Sequence, residues 1–335
     1  MHPALQGLLT IIVGVGGCVG YFYFSNLVLD KVLFPARGPN AGRNINRANM
    51  IRPWLFLFPA VFVLGLYLAY PVVETLRLSL TERVGGDEYV FVGLDNYNQM
   101  LSEPKFWEAL RNNMLWLIVV PAASTAAGLL VAQLTDRIAW GTAAKSLIFM
   151  PMAISLVGAG VIWKLVYEAR PIDQEQIGVL NALYIYFGGT DPQQWLTIPF
   201  WNNFFLMAIM IWVQTGFAMV ILSAALRGIP EETIEAAIID GAGPFQIFFK
   251  IKMPQIIPTI VVVWTTITLT VLKVFDIVFA MTNGQWETQV MANYMYDKLF
   301  RANDWGVGSA AAIAIMLLVT PILVWNVYNA RKEMR

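Results

Sequence analysis

Lys273 and Asp276 are ionisable residues inside an apolar segment that runs from Ile257 to Met281. Ionisable side chains within hydrocarbon are energetically costly and usually face the interior of a helix bundle. Residues three positions apart lie on one face of an α-helix, where opposite charges can pair. The two residues therefore either form an ion pair that fixes helix packing or line a polar pathway.

A second polar group in an apolar segment contains Trp212, Gln214, Thr215 and Phe217. The Gln214 amide offers both donors and an acceptor, and the aromatic rings offer faces for stacking. Trp212 and Phe217 are separated by about 140° around a helix, so they cannot share one narrow stripe. They either flank a wide cavity with Gln214 between them in sequence, or pack between helices.

Catalytic chemistry has little support in the composition. The sequence has one cysteine, Cys18, and one histidine, His2, which excludes an intrachain disulfide and a Cys/His metal site. It has no Gly-rich phosphate loop of the Walker type. Its formal net charge of +0 gives no sign of a nucleic-acid partner. We expect no catalytic residue, metal ion or cofactor on this chain.

The composition is typical of a membrane protein. Hydrophobic residues make up 58% of the sequence and charged residues 13%, whereas a soluble domain carries roughly a quarter charged residues. Several apolar runs approach the length needed to cross about 30 Å of hydrocarbon. The pattern predicts an all-α integral membrane protein with about seven transmembrane helices: Leu5–Leu29, Trp54–Leu76, Asn113–Leu134, Ser146–Tyr167, Asn203–Leu226, Ile257–Met281 and Gly308–Tyr328.

The combined number of lysines and arginines is high in every second loop and low in the loops between them. The linker after the first span, the loops after the third and fifth spans, and the C-terminal tail together carry thirteen of them, against six in the opposite loops. Because cytoplasmic loops carry the excess, the C-terminus is predicted in the cytoplasm and the N-terminus outside. We expect a multi-pass protein of the bacterial plasma (inner) membrane.

The cytoplasmic segment 227–257 has the signals of a short helix followed by a bend. Pro230 suits the first turn of a helix, and the negative charge of Glu231 favours a helix N-terminus. Gly241 and Gly243 can supply the positive φ that ends a helix. The pattern therefore predicts one helix that ends near residue 241.

A second short helix is predicted from Pro244 to Pro254. Three aromatic residues, Phe245, Phe248 and Phe249, lie on it. They either pack back against the membrane domain or present one helical face to a groove on a partner protein.

The spacing in this segment resembles the EAA loop of bacterial ABC importer permeases, E-A-A-x3-G-x9-I-x-L-P. The sequence departs from that pattern only at Met253, a volume-conserving replacement of leucine. The resemblance implies a coupling loop that moves with the ATP-binding subunits, with Glu235 orienting the bend through charge-assisted hydrogen bonds. The residues implied in coupling are Glu235, Ala236, Ala237, Gly241, Phe245, Phe248, Phe249, Ile251 and Pro254.

Three further stretches resemble the sugar-uptake branch whose best-known members import maltose and related glucosides. They are V-G-L-D-N-Y at Val92–Tyr97, F-W-E-A-L-R-N-N from Phe106 to Asn113, and M-T-N-G at Met281–Gly284. The resemblance covers about residues 50–335. It implies a six-helix type I ABC importer core (MetI-like) at residues 54–335, preceded by an N-terminal transmembrane helix and a basic cytoplasmic linker at residues 1–53.

Family membership implies the partners. They are a second homologous permease, two ATP-binding cassette subunits that hold ATP and Mg, a periplasmic solute-binding protein, the sugar and membrane lipid, with no nucleic acid. By resemblance, the sugar pathway contains Met152, Ser155, Leu156, Trp212, Gln214, Phe217, Thr270, Lys273 and Asp276. The sequence resembles permeases for small α-glucosides of the glucosylglycerol, sucrose, trehalose or maltose kind.

Other functions fit some of these features. An importer of a glycerol-phosphate-type polyol would need surplus cations, but Lys273 is the only mid-span cation and Asp276 offsets it. A channel or ion-coupled secondary transporter would need a coupling carboxylate, for which Asp276 is the candidate, and would not need the cytoplasmic loop. A membrane enzyme is disfavoured by the scarcity of histidine and cysteine.

Overall fold

A computed structural model describes residues 3–85, 88–136 and 138–333. His2, and Arg137 and Arg335 from the charge count, lie outside the described residues. The contacts divide the chain into two compact units, Met1–Glu74 and Thr75–Arg335. No comparison tests the expected domain boundary after residue 53, so it stays a prediction.

The first unit contains two long apolar helices. Helix α1 spans Pro3–Leu27 and continues as a π-helical turn over Val28–Leu33. Helix α2 spans Ala41–Leu64 and continues as a π-helical turn over Gly65–Ala69. Helix α3, Tyr70–Ser79, extends the same apolar span to 39 residues, Ala41–Ser79.

Polar contacts between α1 and α2 fix their register. The Tyr21 hydroxyl donates to the Leu55 carbonyl oxygen at 2.9 Å, and the rings of Phe22 and Phe56 stack with centroids 5.0 Å apart. Arg52 Nη2 donates to both oxygens of Asp30, at 2.7 and 2.8 Å. The two helices are therefore held together where the predicted basic linker lies.

After the end of α3, the second unit continues with a short antiparallel hairpin, an element that the all-α expectation does not include. Strands β1 and β2 pair Thr81 with Phe91 and Arg83 with Tyr89. The elements that follow Ser79 are β1 Thr81–Gly85, β2 Glu88–Phe91, α4 Asp95–Ser102, α5 Pro104–Thr135, α6 Gly141–Phe149, α7 Leu156–Val166, α8 Val179–Tyr186, α9 Trp201–Arg227, α10 Glu231–Ile239, α11 Pro244–Gln246, α12 Met253–Leu272, α13 Asp276–Met281, α14 Met291–Tyr296 and α15 Trp305–Glu333.

Shorter turns join several of these helices. Two are 3₁₀-helical, Met150–Ala153 and Trp195–Thr197. Two are π-helical, Ile247–Lys252 and Asp297–Arg301.

The predicted all-α membrane fold is confirmed. Among the described residues, six helices are long and apolar enough to cross a membrane: Leu5–Leu33, Ala41–Ser79, Pro104–Thr135, Trp201–Arg227, Pro244–Leu272 and Trp305–Trp325. A bent pair, Gly141–Ala153 with Leu156–Val166, whose halves meet at 107°, makes a seventh if its two halves are counted as one span. The predicted segment Ser146–Tyr167 therefore lies across an interruption and is not one continuous helix.

Helices α5 and α9 form the centre of the second unit. A Cβ atom added at Gly128 of α5 would lie 2.4 Å from the Cβ atom of Ala218 on α9, so only glycine allows this approach. Trp116, Leu206 and Met210 are fully buried around the contact. This close-packed pair is the rigid support against which the interrupted helices lie.

Candidate functional site

The first interruption of the membrane helices lies between α6 and α7. After the 3₁₀ turn Met150–Ala153, the backbone is extended at Ile154 (φ −93°, ψ 140°). Ser155 then caps α7, because its Oγ accepts a hydrogen bond from the Gly158 N–H at 3.1 Å. Met152 and Ser155 are exposed in this chain, and Leu156 is half-buried.

Helix α9 lies directly against this first break. A Cβ atom added at Gly216 would lie 2.7 Å from the Ile148 carbonyl oxygen, so the two backbones nearly touch. The structure thus brings together the pathway segments 152–156 and 212–217.

The side chains of segment 212–217 have different surroundings. Trp212 packs edge to face on Trp163 of α7, with centroids 5.8 Å apart, and Phe217 packs against the apolar core. For these two rings the structure shows packing between helices. Gln214 is only 9% exposed, and its amide has no hydrogen-bond partner within the described part of the chain. Gln214 is therefore the member of this group best suited to bind a hydroxyl-rich ligand.

A second interruption separates α12 from α13 and corrects a prediction. Helix α12 ends at Leu272 and α13 starts at Asp276, so Lys273 and Asp276 do not share one helix. Within the described part of the chain no ion pair joins them. Lys273 is exposed and Asp276 half-buried. The Thr270 hydroxyl donates to the Thr266 carbonyl oxygen at 3.1 Å.

The second break is capped by a side chain distant in the sequence. Nδ2 of the buried residue Asn113 donates to the Leu272 carbonyl oxygen at 3.5 Å, and its Oδ1 accepts from the Met291 N–H at 2.8 Å. The bond to Leu272 gives a partner to a carbonyl that cannot remain unpaired at membrane depth, and the bond from Met291 satisfies an N–H at the start of α14. This is the physical reason why the helix can stop at Leu272.

Buried asparagines also hold the loop 282–290. Asn112 Nδ2 donates to the Glu287 carbonyl oxygen at 2.9 Å, and Asn203 Nδ2 donates to the same oxygen at 3.2 Å. Asn202 donates to the Trp286 carbonyl oxygen. Trp286 and Glu287 have φ of 54° and 61°. Sequence reasoning missed this arrangement, although an Asn-Asn pair at the start of two apolar segments is a visible signal.

The coupling loop begins largely as predicted. Helix α10 follows Pro230, which is its N-cap residue. Gly241 has φ of 80°, and its N–H donates to the Ile238 carbonyl oxygen at 3.0 Å. Gly243 has φ of −73°, so the expectation of positive φ there is wrong. Of the two glycines, only Gly241 has the positive φ that reverses the chain direction at the end of α10.

The second helix does not end at Pro254, contrary to prediction. One continuous span runs over Pro244–Leu272, through the π-helical turn Ile247–Lys252. In that turn the Met253 N–H donates to the Phe248 carbonyl oxygen, five residues back. The wider hydrogen-bond register lets the chain stay helical into Pro254, which lies in the first turn of α12. The loop is thus continuous with a membrane span.

The predicted phenylalanine face divides into two parts. Phe245 and Phe249 are 80% and 57% exposed, whereas Phe248 packs against the apolar core. Phe245 therefore faces outward, while Phe248 has the packing role. Ile239, which sequence reasoning left out, is 85% exposed.

The other residues implied in coupling differ in exposure. Glu235 is exposed, and its carboxylate has no partner within the described part of the chain, so the expected hydrogen bonds at the bend are not present there. Positive φ at Gly241 makes the bend without them. Ala236 and Pro254 are exposed, Ile251 is half-buried and Ala237 is buried.

An ionic cluster that the sequence did not indicate lies where the coupling loop leaves α9. Asp136, at the end of α5, accepts from Arg227 Nε and Nη2 at 3.1 and 2.9 Å, and also from Lys145. Burial opposes ionisation of Asp136, but the hydrogen bonds from Lys145 and Arg227 outweigh it and hold the pKa of the carboxyl below 3.8. The cluster connects α5, α6 and α9.

Comparisons with known proteins fit this geometry. The family described as binding-protein-dependent transport system inner membrane component matches residues 124–335. The chain is 60% identical over 337 aligned positions to the alpha-glucoside transport system permease protein of Rhizobium meliloti, covering 99% of both chains. It is 46% identical over 283 positions to the osmoprotective compounds uptake permease protein of Synechocystis sp., covering 84% of this chain and 100% of that one.

A solved structure has the same fold. The crystal structure of a bacterial ABC transporter that imports the acidic polysaccharide alginate contains a chain that matches with a TM-score of 0.72. The match covers 88% of this chain and 99% of that chain, at 20% identity. At that identity the likeness concerns the fold alone.

Proposed function

The chain belongs to the family of binding-protein-dependent transport system inner membrane components, and we propose that it forms half of a pore for a neutral sugar of the small α-glucoside class. It is a multi-pass membrane protein and the permease component of an ABC importer, not itself an enzyme. Its partners in import are an ATPase and a solute-binding protein.

One observation carries the choice of substrate class. It is the 60% identity, over 99% of both chains, with a permease described as transporting alpha-glucosides. The pathway chemistry supports a neutral ligand, because Lys273 is followed by Asp276 and the remaining predicted pathway residues are uncharged. A phosphorylated polyol would favour an excess of cations.

The two helix breaks support a pathway between them. Non-helical backbone at membrane depth is tolerated where it is buried in protein or lines a water-filled cavity. Segment 152–156 lies at the first break, and Lys273 lies at the second. An exposed lysine cannot face hydrocarbon without a large penalty, so Lys273 faces water or a partner protein in the membrane.

The proposal extends to assembly and coupling. A second homologous permease completes the pore, two ATP-binding subunits with ATP and Mg bind on the cytoplasmic side, and a periplasmic solute-binding protein delivers the sugar. The C-terminus lies in the cytoplasm of a bacterium. Closure of the ATPase dimer moves the coupling loop, and the continuous helix Pro244–Leu272 transmits that motion to the second break.

The test is uptake by the complete importer reconstituted with its binding protein in proteoliposomes. Labelled maltose, trehalose, sucrose and glucosylglycerol are compared with labelled glycerol 3-phosphate. We expect ATP-dependent uptake of at least one glucoside and none of the phosphate ester. Uptake of glycerol phosphate alone, or sugar uptake that persists without ATP, would contradict the proposal.

A further inference from the structure

Four aromatic rings form a continuous strip from the second helix break towards the external surface. Phe275 stacks on Phe279 with centroids 4.9 Å apart and an interplanar angle of 24°. Tyr296 contacts both rings, at 5.3 and 5.2 Å. Phe300 contacts Tyr296 at 5.0 Å. We call these four residues the aromatic strip.

The aromatic strip is accessible along its length in this chain. Phe300 is 63% exposed, and the other three rings are half-buried. The Tyr296 hydroxyl has no hydrogen-bond partner within the described part of the chain. The strip therefore offers partly exposed aromatic rings and one free hydroxyl group, which are groups that can bind a sugar ring.

A held cation lies over the strip. The Arg301 guanidinium lies 5.8 Å from the Phe279 centroid and 5.6 Å from that of Tyr296. Its nitrogens contact Asp297 at 2.8 Å and Asn283 at 2.8 Å. These contacts fix Arg301 as an oriented donor whose charge is neutralised.

Arg301 also borders a polar cavity at the external end. The cavity measures about 370 Å³, and its lining includes Asn283, Asp297 and Lys298. This volume is within the range of small-molecule sites. At its other end, the strip reaches the break where Lys273 and Asp276 lie.

From this arrangement we propose that the aromatic strip is a sugar-binding track, on which the sugar stacks between the external cavity and the second break. The inference rests on the proposed sugar function. Lipid is a poor occupant, because hydrocarbon would desolvate Arg301 and Asp297. A purely protein interface does not account for the adjoining polar cavity.

The test uses the complete importer in proteoliposomes with labelled maltose, sucrose and trehalose. The variants are Phe300→Leu and Tyr296→Leu, and the control is Phe91→Leu, which removes a ring that is 72% exposed on β2. We expect the strip variants to assemble and to raise the transport KM about two- to tenfold. The Phe91→Leu variant should have the same transport KM as the wild type.

A second measurement covers the case in which leucine variants fail to fold. Phe300→Trp keeps an aromatic face, and its fluorescence should shift when sugar is added to the complex. Unchanged KM in both leucine variants, or loss of pairing with the second permease at unchanged KM, would overturn the track. Wild-type importer that moves no sugar would overturn the proposed function and the track together, whereas sugar uptake with insensitive variants removes the track alone.

Discussion

Arg227 and Asp136 are joined by two hydrogen bonds to a single carboxylate oxygen, from Nε at 3.1 Å and from Nη2 at 2.9 Å. Arg227 is the last residue of α9, and Asp136 caps α5. The contact therefore fixes the start of the coupling loop to the central helix pair. We expect this contact to have a mechanical role in coupling, because a loop that transmits force must be held at its base.

Asp136→Asn should weaken that attachment. The amide cannot neutralise Lys145 and Arg227, and we expect a loss of about 1 kcal/mol, seen as a lower Tm of the complex. Sugar-stimulated ATP hydrolysis should fall more than ATP-independent sugar binding. Asp173→Asn, at an exposed carboxylate outside this cluster, is the control. Equal ATPase stimulation in both variants would remove the role of Asp136.

The lowered pKa of Asp136 fixes the sign of a pH effect. Its contribution to stability is present above the ordinary value of 3.8 and is lost as the pH falls through the lower folded-state value. Above pH 5 the Tm difference between wild type and Asp136→Asn should therefore stay constant.

Gly241 and Gly243 provide a matched pair of substitutions. A Cβ atom meets no neighbour within 4 Å at either position, but only Gly241 has positive φ, at 80°. Gly241→Ala should cost roughly 1 kcal/mol and misplace α10 relative to the following helix. We expect reduced coupling of ATP hydrolysis to transport in Gly241→Ala and wild-type behaviour in Gly243→Ala. Identical transport by the two variants would show that the bend is not required.

The division of the phenylalanine face is testable by cross-linking. In a Cys18→Ser background, Phe245→Cys should cross-link to a cysteine placed in the groove of the ATP-binding subunit, because Phe245 is 80% exposed. Phe248→Cys should cross-link poorly, because Phe248 packs in the core of this chain. Mass spectrometry identifies the cross-linked peptides. The reverse pattern would mean that the loop repacks when it binds.

Gln214→Ala should change the substrate profile of the importer. Loss of two or more hydrogen bonds to a sugar costs about 1–3 kcal/mol, or roughly fivefold or more in affinity. Trp212→Ala should change the KM values of all the sugars to a similar extent, because that ring packs on Trp163. Transport KM is measured for each glucoside, with Gln174→Ala as an exposed control. Unaltered KM for every sugar in Gln214→Ala would place the contacts elsewhere.

The first span is expected to be dispensable for transport. A chain that starts at Asn49 removes α1 and with it the Arg52–Asp30 contact. We expect an assembled complex with wild-type KM, measured in proteoliposomes. Loss of transport by a fully assembled complex would contradict this expectation, and loss of assembly alone would assign a scaffolding role.

The membrane spans could be predicted from the sequence because a hydrocarbon core imposes a minimum length on any apolar helix. The helix breaks could not be predicted, because the residues that cause them are distant in the sequence. Nothing near Leu272 indicates that α12 ends there. The Asn113 amide that caps it is 159 residues away in the sequence. Of the two alternatives for Lys273 and Asp276, the ion pair is wrong for this reason.

In the coupling loop, local motifs predicted the structure more successfully. The reversal at Gly241 follows from glycine chemistry and neighbouring residues alone. Pro254 was misread because a proline in sequence gives no indication of whether the preceding turn is α- or π-helical. The roles assigned to Glu235, Phe245 and the sugar-contact residues remain predictions.

The asparagine contacts with loop 282–290 impose an order on biogenesis. Asn112 is synthesised 175 residues before its acceptor at Glu287. At 5–20 residues per second, the ribosome needs roughly 10 to 35 s to cover that distance. Throughout this interval the Asn112 amide lacks its final acceptor, so the start of α5 is not yet joined to loop 282–290 while α9 and α12 are synthesised. The contact that holds this loop to α5 therefore forms late.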